Sequence, residues 1–146
     1  MDRSANIDDV NLILRLYEMR REPRLREARA WFASSFKFQS WEECIQACPP
    51  GTDANAFFRQ VTTYWEMVAS IVASGVLQKD LFFQSGRELL LVWERLRPMI
   101  ASWRAATRDQ MLYHNLETVG AEFAKWMNQR SPGSYEAFAE RMRGLR

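Results

Sequence analysis

Residues 53–75 read DANAFFRQVTTYWEMVASIVASG and show the clearest helical period in the chain. Thr52 or Asp53 can cap the start of a helix here, and Gly75 can end it by adopting a left-handed backbone without a Cβ clash. The apolar side chains recur at the spacing of one helix face. They are Phe57, Val61, Tyr64, Trp65, Val68, Ile71 and Val72. We therefore predict a helix over about residues 54–74 with one buried face.

The same period continues on both sides of this helix, and no segment shows the alternation of a strand. Prolines, glycines and capping residues mark the ends of the other helices; Pro23 separates the first two, and Ser40 with Glu43 has capping-box spacing. These further predicted helices cover about residues 7–21, 24–35, 41–47, 79–106, 108–129 and 135–143.

The long helix over about residues 79–106 is predicted from an apolar stripe that keeps its phase through Pro98. The stripe consists of Phe82, Gly86, Leu89, Trp93, Leu96, Ile100, Trp103 and Thr107. Pro98 falls on the opposite, polar side, and a proline there bends a helix by removing one backbone hydrogen bond. We therefore predict one helix, kinked at Pro98, that wraps around the core.

These elements predict an all-α protein with a single domain over residues 1–146. We expect an antiparallel helical bundle of six to seven helices, because the connecting loops are short. The N-terminal helices, about residues 7–47, should pack across a central bundle over about residues 53–129. A short C-terminal helix over about residues 135–143 should complete the domain.

The first predicted helix is apolar on two sides. One stripe contains Ile7, Val10, Ile13, Leu14 and Tyr17. The roughly opposite face contains Leu12, Leu16 and Met19. A helix that packs on one core needs one stripe, so the second face needs another helix of this chain, a second copy or a different protein. The candidate interface consists of Leu12, Leu16 and Met19. It also includes Leu91, an isolated leucine on the polar face of the long helix.

Charge points weakly to an anionic partner. The chain carries 20 basic and 18 acidic residues, a net charge of +2, whereas nucleic-acid modules usually gather a basic stripe on one face. The arginine-rich run from Arg15 to Arg29 is interleaved with glutamates, which favours a solvated surface with local ion pairs. The alternative is a patch that faces phosphate or acidic lipid. Its candidate residues are Arg20, Arg21, Arg24 and Arg26.

The sequence offers little for catalysis, and we assign no catalytic, cofactor-binding or metal-binding residue. The single histidine, His114, lies opposite the apolar stripe of its helix. Cys44 and Cys48 supply too few ligands for a zinc site, so we expect small buried side chains, with a reversible disulfide as the alternative. Four glutamates lie on predicted polar faces, where ion pairs account for them. They are Glu66, Glu88, Glu94 and Glu117.

We expect neither a leader peptide nor a membrane span. The start, MDRSANIDD, is acidic and polar, unlike the basic and then apolar start of a signal peptide. The longest apolar run, residues 67–77, is about half the length of the roughly 20 residues that a membrane span requires. A cytoplasmic protein without a cofactor is the expectation.

Several short motifs are spread over the central helices. They are YWEMVA at 64–69, SGVL at 74–77, DLF at 80–82, Trp93, LRP at 96–98, and Arg104. In these motifs, and over roughly residues 10–125, the chain resembles a family of bacterial all-helical proteins of unknown function. The resemblance implies a helical domain with no established activity and no known functional residue. Some relatives carry an N-terminal membrane segment, which we do not expect in this chain.

The excess of apolar surface on the first helix is the main indication of function. It favours a non-enzymatic interaction or regulatory domain that pairs with itself, as a homodimer through this helix, or with another protein. The alternative is a small-molecule binding or catalytic domain, with an aromatic pocket between helices that an arginine reaches. A cavity of a few hundred Å³ with converging polar groups would favour that alternative.

Overall fold

The computed structural model describes residues 3–144, and over this range the protein contains α-helices and no strands. The helices in this range are α1 (Ile7–Arg20), α2 (Pro23–Ser35), α3 (Trp41–Ala47), α4 (Asp53–Ala73), α5 (Lys79–Ser85), α6 (Arg87–Leu96), α7 (Ile100–Thr107), α8 (His114–Arg130) and α9 (Ser134–Met142). The all-α class is confirmed. The predicted number of six to seven helices is too low, because the described range contains nine.

Helix α4 lies at the centre of the packing and contacts α2, α6 and α8. Its N-terminus is capped by Thr52, whose hydroxyl accepts from the backbone N–H of Asn55 at 3.2 Å. Val68, Ala69 and Val72 are completely buried, and Trp65 is almost so. The predicted apolar face of this helix is therefore confirmed. The single-domain organisation and the antiparallel bundle stay predictions.

The single long helix kinked at Pro98 is wrong, because the segment forms α5, α6 and α7. The first break is at Gly86, where an added Cβ would lie 2.5 Å from the ring of Phe82. The second break is a turn over residues 97–99. Pro98 in this turn has no N–H to donate, and the N–H of Met99 donates to the carbonyl of Leu96. Both breaks are short, so the apolar residues stay on one side and their phase does not distinguish a bend from a break.

Helix α8 begins at His114, later than the predicted residue 108. Tyr113 precedes it with a left-handed backbone, φ 57°, and is buried. Glu66 of α4 then accepts a hydrogen bond from the backbone N–H of Leu116 at 2.9 Å, at the N-terminus of α8. This contact between two helices caps the start of α8, and in the turn before it the carboxylate of Asp109 accepts from the backbone N–H of Met111 at 3.0 Å.

The structure places the side chains considered for chemistry in different environments. His114 is exposed, and Cys44 and Cys48 are buried free thiols. Glu94 is fully buried rather than on an outward face, and it accepts a hydrogen bond from the hydroxyl of Tyr135 at 2.7 Å. Within residues 3–144, no group of three or more His, Cys, Asp or Glu side chains is arranged to hold a metal ion.

None of the helices formed by these residues is both long and apolar enough to cross a membrane.

Candidate functional site

Much of α1 faces opposite to the prediction, although Ile13 is half-buried against the core and Met19 is exposed, as predicted. Leu16, assigned to an interface, is buried at 7% exposure, and Leu12 is half-buried against the core. The residues predicted to face the core are largely exposed instead, at 69% for Ile7 and 54% for Leu14. Helix α1 does carry more apolar surface than the core covers, but most of the exposed apolar surface lies on the side that we predicted to face the core.

Asp9 anchors α1 at its N-terminal end. Its carboxylate is 2% exposed and accepts two hydrogen bonds from the guanidinium of Arg3, both at 2.6 Å. It also accepts from the backbone N–H groups of Asn6, at 2.8 Å, and Gln78, at 2.9 Å. The Arg3 guanidinium, helped by these backbone donors, holds the pKa of Asp9 well below its ordinary range. An ionised carboxylate therefore joins α1 to the loop before α5.

A second set of contacts holds the C-terminal end of α1. The hydroxyl of Tyr64 on α4 donates to the carbonyl of Leu16 at 2.5 Å, and Arg29 on α2 donates to the carbonyl of Arg20 at 3.3 Å. Burial raises the pKa of Tyr64 to about 12, so this hydroxyl keeps its proton. Arg29 also donates to both carboxylate oxygens of Glu88, each at 2.7 Å. Helix α1 is thus fastened at both ends by polar contacts.

The exposed side of α1 carries an apolar row, which we call the outer stripe. It consists of Ile7, Val10, Leu14 and Tyr17, which are 69%, 38%, 54% and 51% exposed. Their spacing of three, four and three residues places them in one line along the helix. Met19, at 43% exposure, lies towards the opposite edge of the exposed surface. The outer stripe is therefore a regular apolar ridge on the surface of the protein.

An apolar groove of about 300 Å³ runs beside the outer stripe, between α1, α4 and the end of α5. We call it the α1 groove. Its walls include Leu16 and Tyr17 from α1, Trp65 and Val68 from α4, and Phe82 from α5. Leu14 and Tyr17 line the groove and also belong to the outer stripe, so the groove and the ridge form parts of one apolar surface.

Arg20 supplies the charge in the lining of the α1 groove. Its guanidinium carbon lies 4.9 Å from the ring centroid of Tyr17 and 5.4 Å from that of Trp65. The neighbouring carboxylate, Glu88, is already bound by Arg29 and by the indole N–H of Trp65 at 3.0 Å. Arg20 is therefore oriented by two aromatic rings, and within residues 3–144 no carboxylate hydrogen-bonds to it.

The other predicted site residues are dispersed. Met19 is exposed, while Leu91 is half-buried against the core. Arg24 forms ion pairs with Glu27 at 3.4 Å and with Asp53 at 3.3 Å. Such ion pairs are what we predicted for a solvated surface, rather than for an anion-binding patch. Arg26 donates to the backbone carbonyl of Arg21, so the four arginines do not converge on one point. Arg20 alone among them lines the groove.

Sequence reasoning missed Asp9, Tyr64 and Phe82 as parts of this site. Asp9 did leave a signal, since Asn6 and Asp9 have capping-box spacing and form both of its hydrogen bonds. That signal marks the start of a helix and says nothing about burial. Tyr64 and Phe82 appeared only as members of apolar stripes, and their position beside α1 depends on the tertiary structure.

The match to a known family covers this whole region. Residues 5–126 match the family model described as a domain of unknown function, DUF4760. The chain belongs to this family. The match confirms the predicted membership of a family of unknown function. The matched residues include all of the outer stripe and all of the lining of the α1 groove. Neither the curated proteins nor the solved structures include a match to the chain.

Proposed function

We propose that this DUF4760 protein is a non-enzymatic interaction domain that forms a homodimer through the outer stripe of α1. The observation that supports it is the regular exposure of Ile7, Val10, Leu14 and Tyr17 along one line of a helix. Isolated exposed apolar residues are common, whereas a contiguous row is typical of an interaction surface.

A second copy of the chain fits this surface because the row can pair with itself. In a two-fold dimer the same patch meets on both subunits. An antiparallel arrangement of two α1 helices would place Ile7 beside Tyr17 of the partner subunit, and Val10 beside the partner's Leu14. It would also bring the acidic first turn, with Asp8, towards the basic last turn of the other helix, where the helix dipoles also attract each other.

We also propose a cytoplasmic location, and we assign no catalytic role to Cys44 and Cys48. Burial, with Cys48 beside it, raises the pKa of the Cys44 thiol to about 12, far from the value of a reactive nucleophile. Both thiols are free although only four positions apart. Free thiols are typical of reducing compartments, whereas disulfides form in oxidising ones.

Sedimentation velocity or light scattering, over a range from micromolar to submillimolar protein, tests the dimer. We expect the wild-type mass to rise to that of a dimer, and Val10→Glu to keep the protein monomeric by placing a charge in the outer stripe. Val76→Glu is the matched control, because Val76 is 66% exposed but lies outside α1. A wild type that stays monomeric throughout, or equal disruption by both variants, would reject the proposal.

A further inference from the structure

The α1 groove has the shape and chemistry of a ligand site. We infer that it binds an amphipathic monoanion, a carboxylate on an unbranched hydrocarbon chain. The chain would lie in the groove, and Arg20 would hold the carboxylate at its mouth. The groove shares Leu14 and Tyr17 with the outer stripe, whereas Ile7 and Val10 do not line it, so a variant at Val10 changes the proposed dimer surface without changing the groove wall.

The interior of the groove favours a hydrocarbon. Val68 is completely buried, and Phe82 and Leu16 are 4% and 7% exposed, so the walls are parts of the core. The two polar groups in the aromatic wall already have partners: the Tyr64 hydroxyl donates to the Leu16 carbonyl, and the Trp65 indole donates to Glu88. A sugar or nucleotide would lose its hydrogen bonds to water here without regaining them, whereas an alkyl chain loses none.

The volume is also suited to a small ligand. At about 300 Å³ the groove lies at the lower end of the range of small-molecule sites. Each methylene group buried in such a site should tighten binding about fourfold, until the groove is filled. Affinity should therefore rise with chain length and then level off.

The charge at the mouth selects an anion. Glu88 is neutralised by the two hydrogen bonds from Arg29, which leaves the charge of Arg20 uncompensated in this cluster. The rings of Tyr17 and Trp65 hold the Arg20 guanidinium, and a planar guanidinium can bind both oxygens of a carboxylate. A cationic head group would be repelled at the same place.

Titration of the wild-type protein with octanoate, decanoate, decanol and decyltrimethylammonium, each below its micelle concentration, tests the inference. Binding can be followed by tryptophan fluorescence, since Trp65 lines the groove, and by calorimetry. We expect decanoate to bind more tightly than octanoate, and about tenfold more tightly than decanol, because one charged hydrogen-bonding partner is added. Decyltrimethylammonium should bind more weakly than decanol.

Variants distinguish the contact between Arg20 and the carboxylate from non-specific hydrophobic binding. Arg20→Gln should abolish the preference for decanoate over decanol. Arg130→Gln should preserve it, because Arg130 stacks on Trp126 at 4.4 Å but does not line the groove. Ser85→Phe, at an exposed position on the groove rim, should weaken both ligands.

Three outcomes would overturn the inference: no saturable binding of decanoate, equal affinity for decanoate and decanol in the wild type, or equal effects of Arg20→Gln and Arg130→Gln. The test also stands apart from that of the dimer. Val10→Glu should bind decanoate like the wild type. Because a dimer would cover Leu14 and Tyr17, the ligand is rejected when monomeric Val10→Glu fails to bind decanoate, and the dimer alone is rejected when the wild type binds decanoate but stays monomeric.

Discussion

Helices α1 and α4 are both rich in apolar residues, yet they relate to the core in different ways. In α4 the apolar stripe is the buried face, and α2, α6 and α8 contact it. In α1 the buried face combines Leu16 with the carboxylate of Asp9, while the longer apolar stripe faces outward. The inner face of α1 thus combines a polar anchor with fewer apolar side chains than the inner face of α4.

The physical reason lies in what each side chain requires. An ionised carboxylate that leaves water needs hydrogen-bond donors with defined directions. Asp9 finds them in Arg3, Asn6 and the N–H of Gln78, and the Gln78 contact joins this side of α1 to a distant segment. Burial of an apolar side chain is non-directional, so Leu12 and Leu16 can replace Ile7 and Leu14 on the inner face.

The largest effect that the comparison predicts is in α4. Phe58 is 1% exposed and packs against the rings of Phe36 and Trp103, with centroids 5.8 and 6.0 Å away. Phe58→Ala should lower the free energy of unfolding by about 3–5 kcal/mol, measured by urea denaturation. Met67→Ala, at a 38% exposed position of the same helix, is the control and should stay within about 0.5 kcal/mol of the wild type.

Two leucines of α1 test the rotation of that helix directly. Leu16→Ala should destabilise the protein by about 2–5 kcal/mol, because Leu16 is buried. Leu14→Ala removes the same atoms from an exposed position and should change stability by less than about 0.5 kcal/mol under conditions where the protein is monomeric. The opposite order of these two effects in urea denaturation would show that α1 is turned as first predicted.

The Asp9 anchor should make stability depend on acid. The folded pKa of Asp9 lies below the ordinary pKa of an aspartate. Asp9 therefore stabilises the fold at pH values above the ordinary pKa, and this stabilisation is lost as the pH falls through the folded pKa. Asp9→Asn should therefore be less stable than the wild type at neutral pH, and the difference should shrink in acid. Thermal denaturation scans of the two proteins over a range of pH measure this difference, and a difference that stays constant into acid would contradict the role of Asp9.

The hydrogen bond at the other end of α1 should have a smaller effect. Tyr64→Phe removes the donor to the Leu16 carbonyl and should cost about 0.5–1.5 kcal/mol. Because the pKa of Tyr64 is raised to about 12, the effect should be the same from neutral to mildly alkaline pH. Hydrogen exchange of α1 amides measures it locally, and Tyr17→Phe serves as an exposed control. Equal exchange in the two variants would contradict this role.

The smallest effect on monomer stability should come from the outer stripe. Ile7→Ser should change the free energy of unfolding by less than about 0.5 kcal/mol, because Ile7 is 69% exposed. The same variant should weaken the proposed dimer, so a shift in the dissociation constant without a shift in monomer unfolding is expected. A clear loss of monomer stability would mean that the outer stripe contacts the protein's own chain.

Much of the helical pattern could be predicted because its signals are local. The predicted helices at 24–35, 41–47 and 54–74 agree within one residue with α2, α3 and α4, where Pro23, Ser40 and Thr52 mark the starts. The breaks at Gly86 and Pro98 were missed. Periodicity records which side a residue faces, and it is insensitive to a short interruption that preserves that side.

The candidate site could be predicted only in part. The excess of apolar surface on helix 1 was visible in its two stripes, and Arg20 was among the arginines singled out. The face that stays exposed was not visible, because it depends on donors from Arg3 and Gln78 to Asp9. The groove could not be located either, since Trp65 and Phe82 reach Arg20 and α1 only through packing of distant segments.

Residue spacing was enough to predict the all-α class, the caps of several helices, the buried face of α4 and the surplus of apolar surface on α1. These follow from interactions between residues a few positions apart, which are encoded in spacing. Tertiary structure alone decided the rotation of α1, the start of α8 at the Glu66 contact, and the groove that Arg20 borders. Each of these depends on directional hydrogen bonds or close packing between distant segments, and spacing along the chain does not record them.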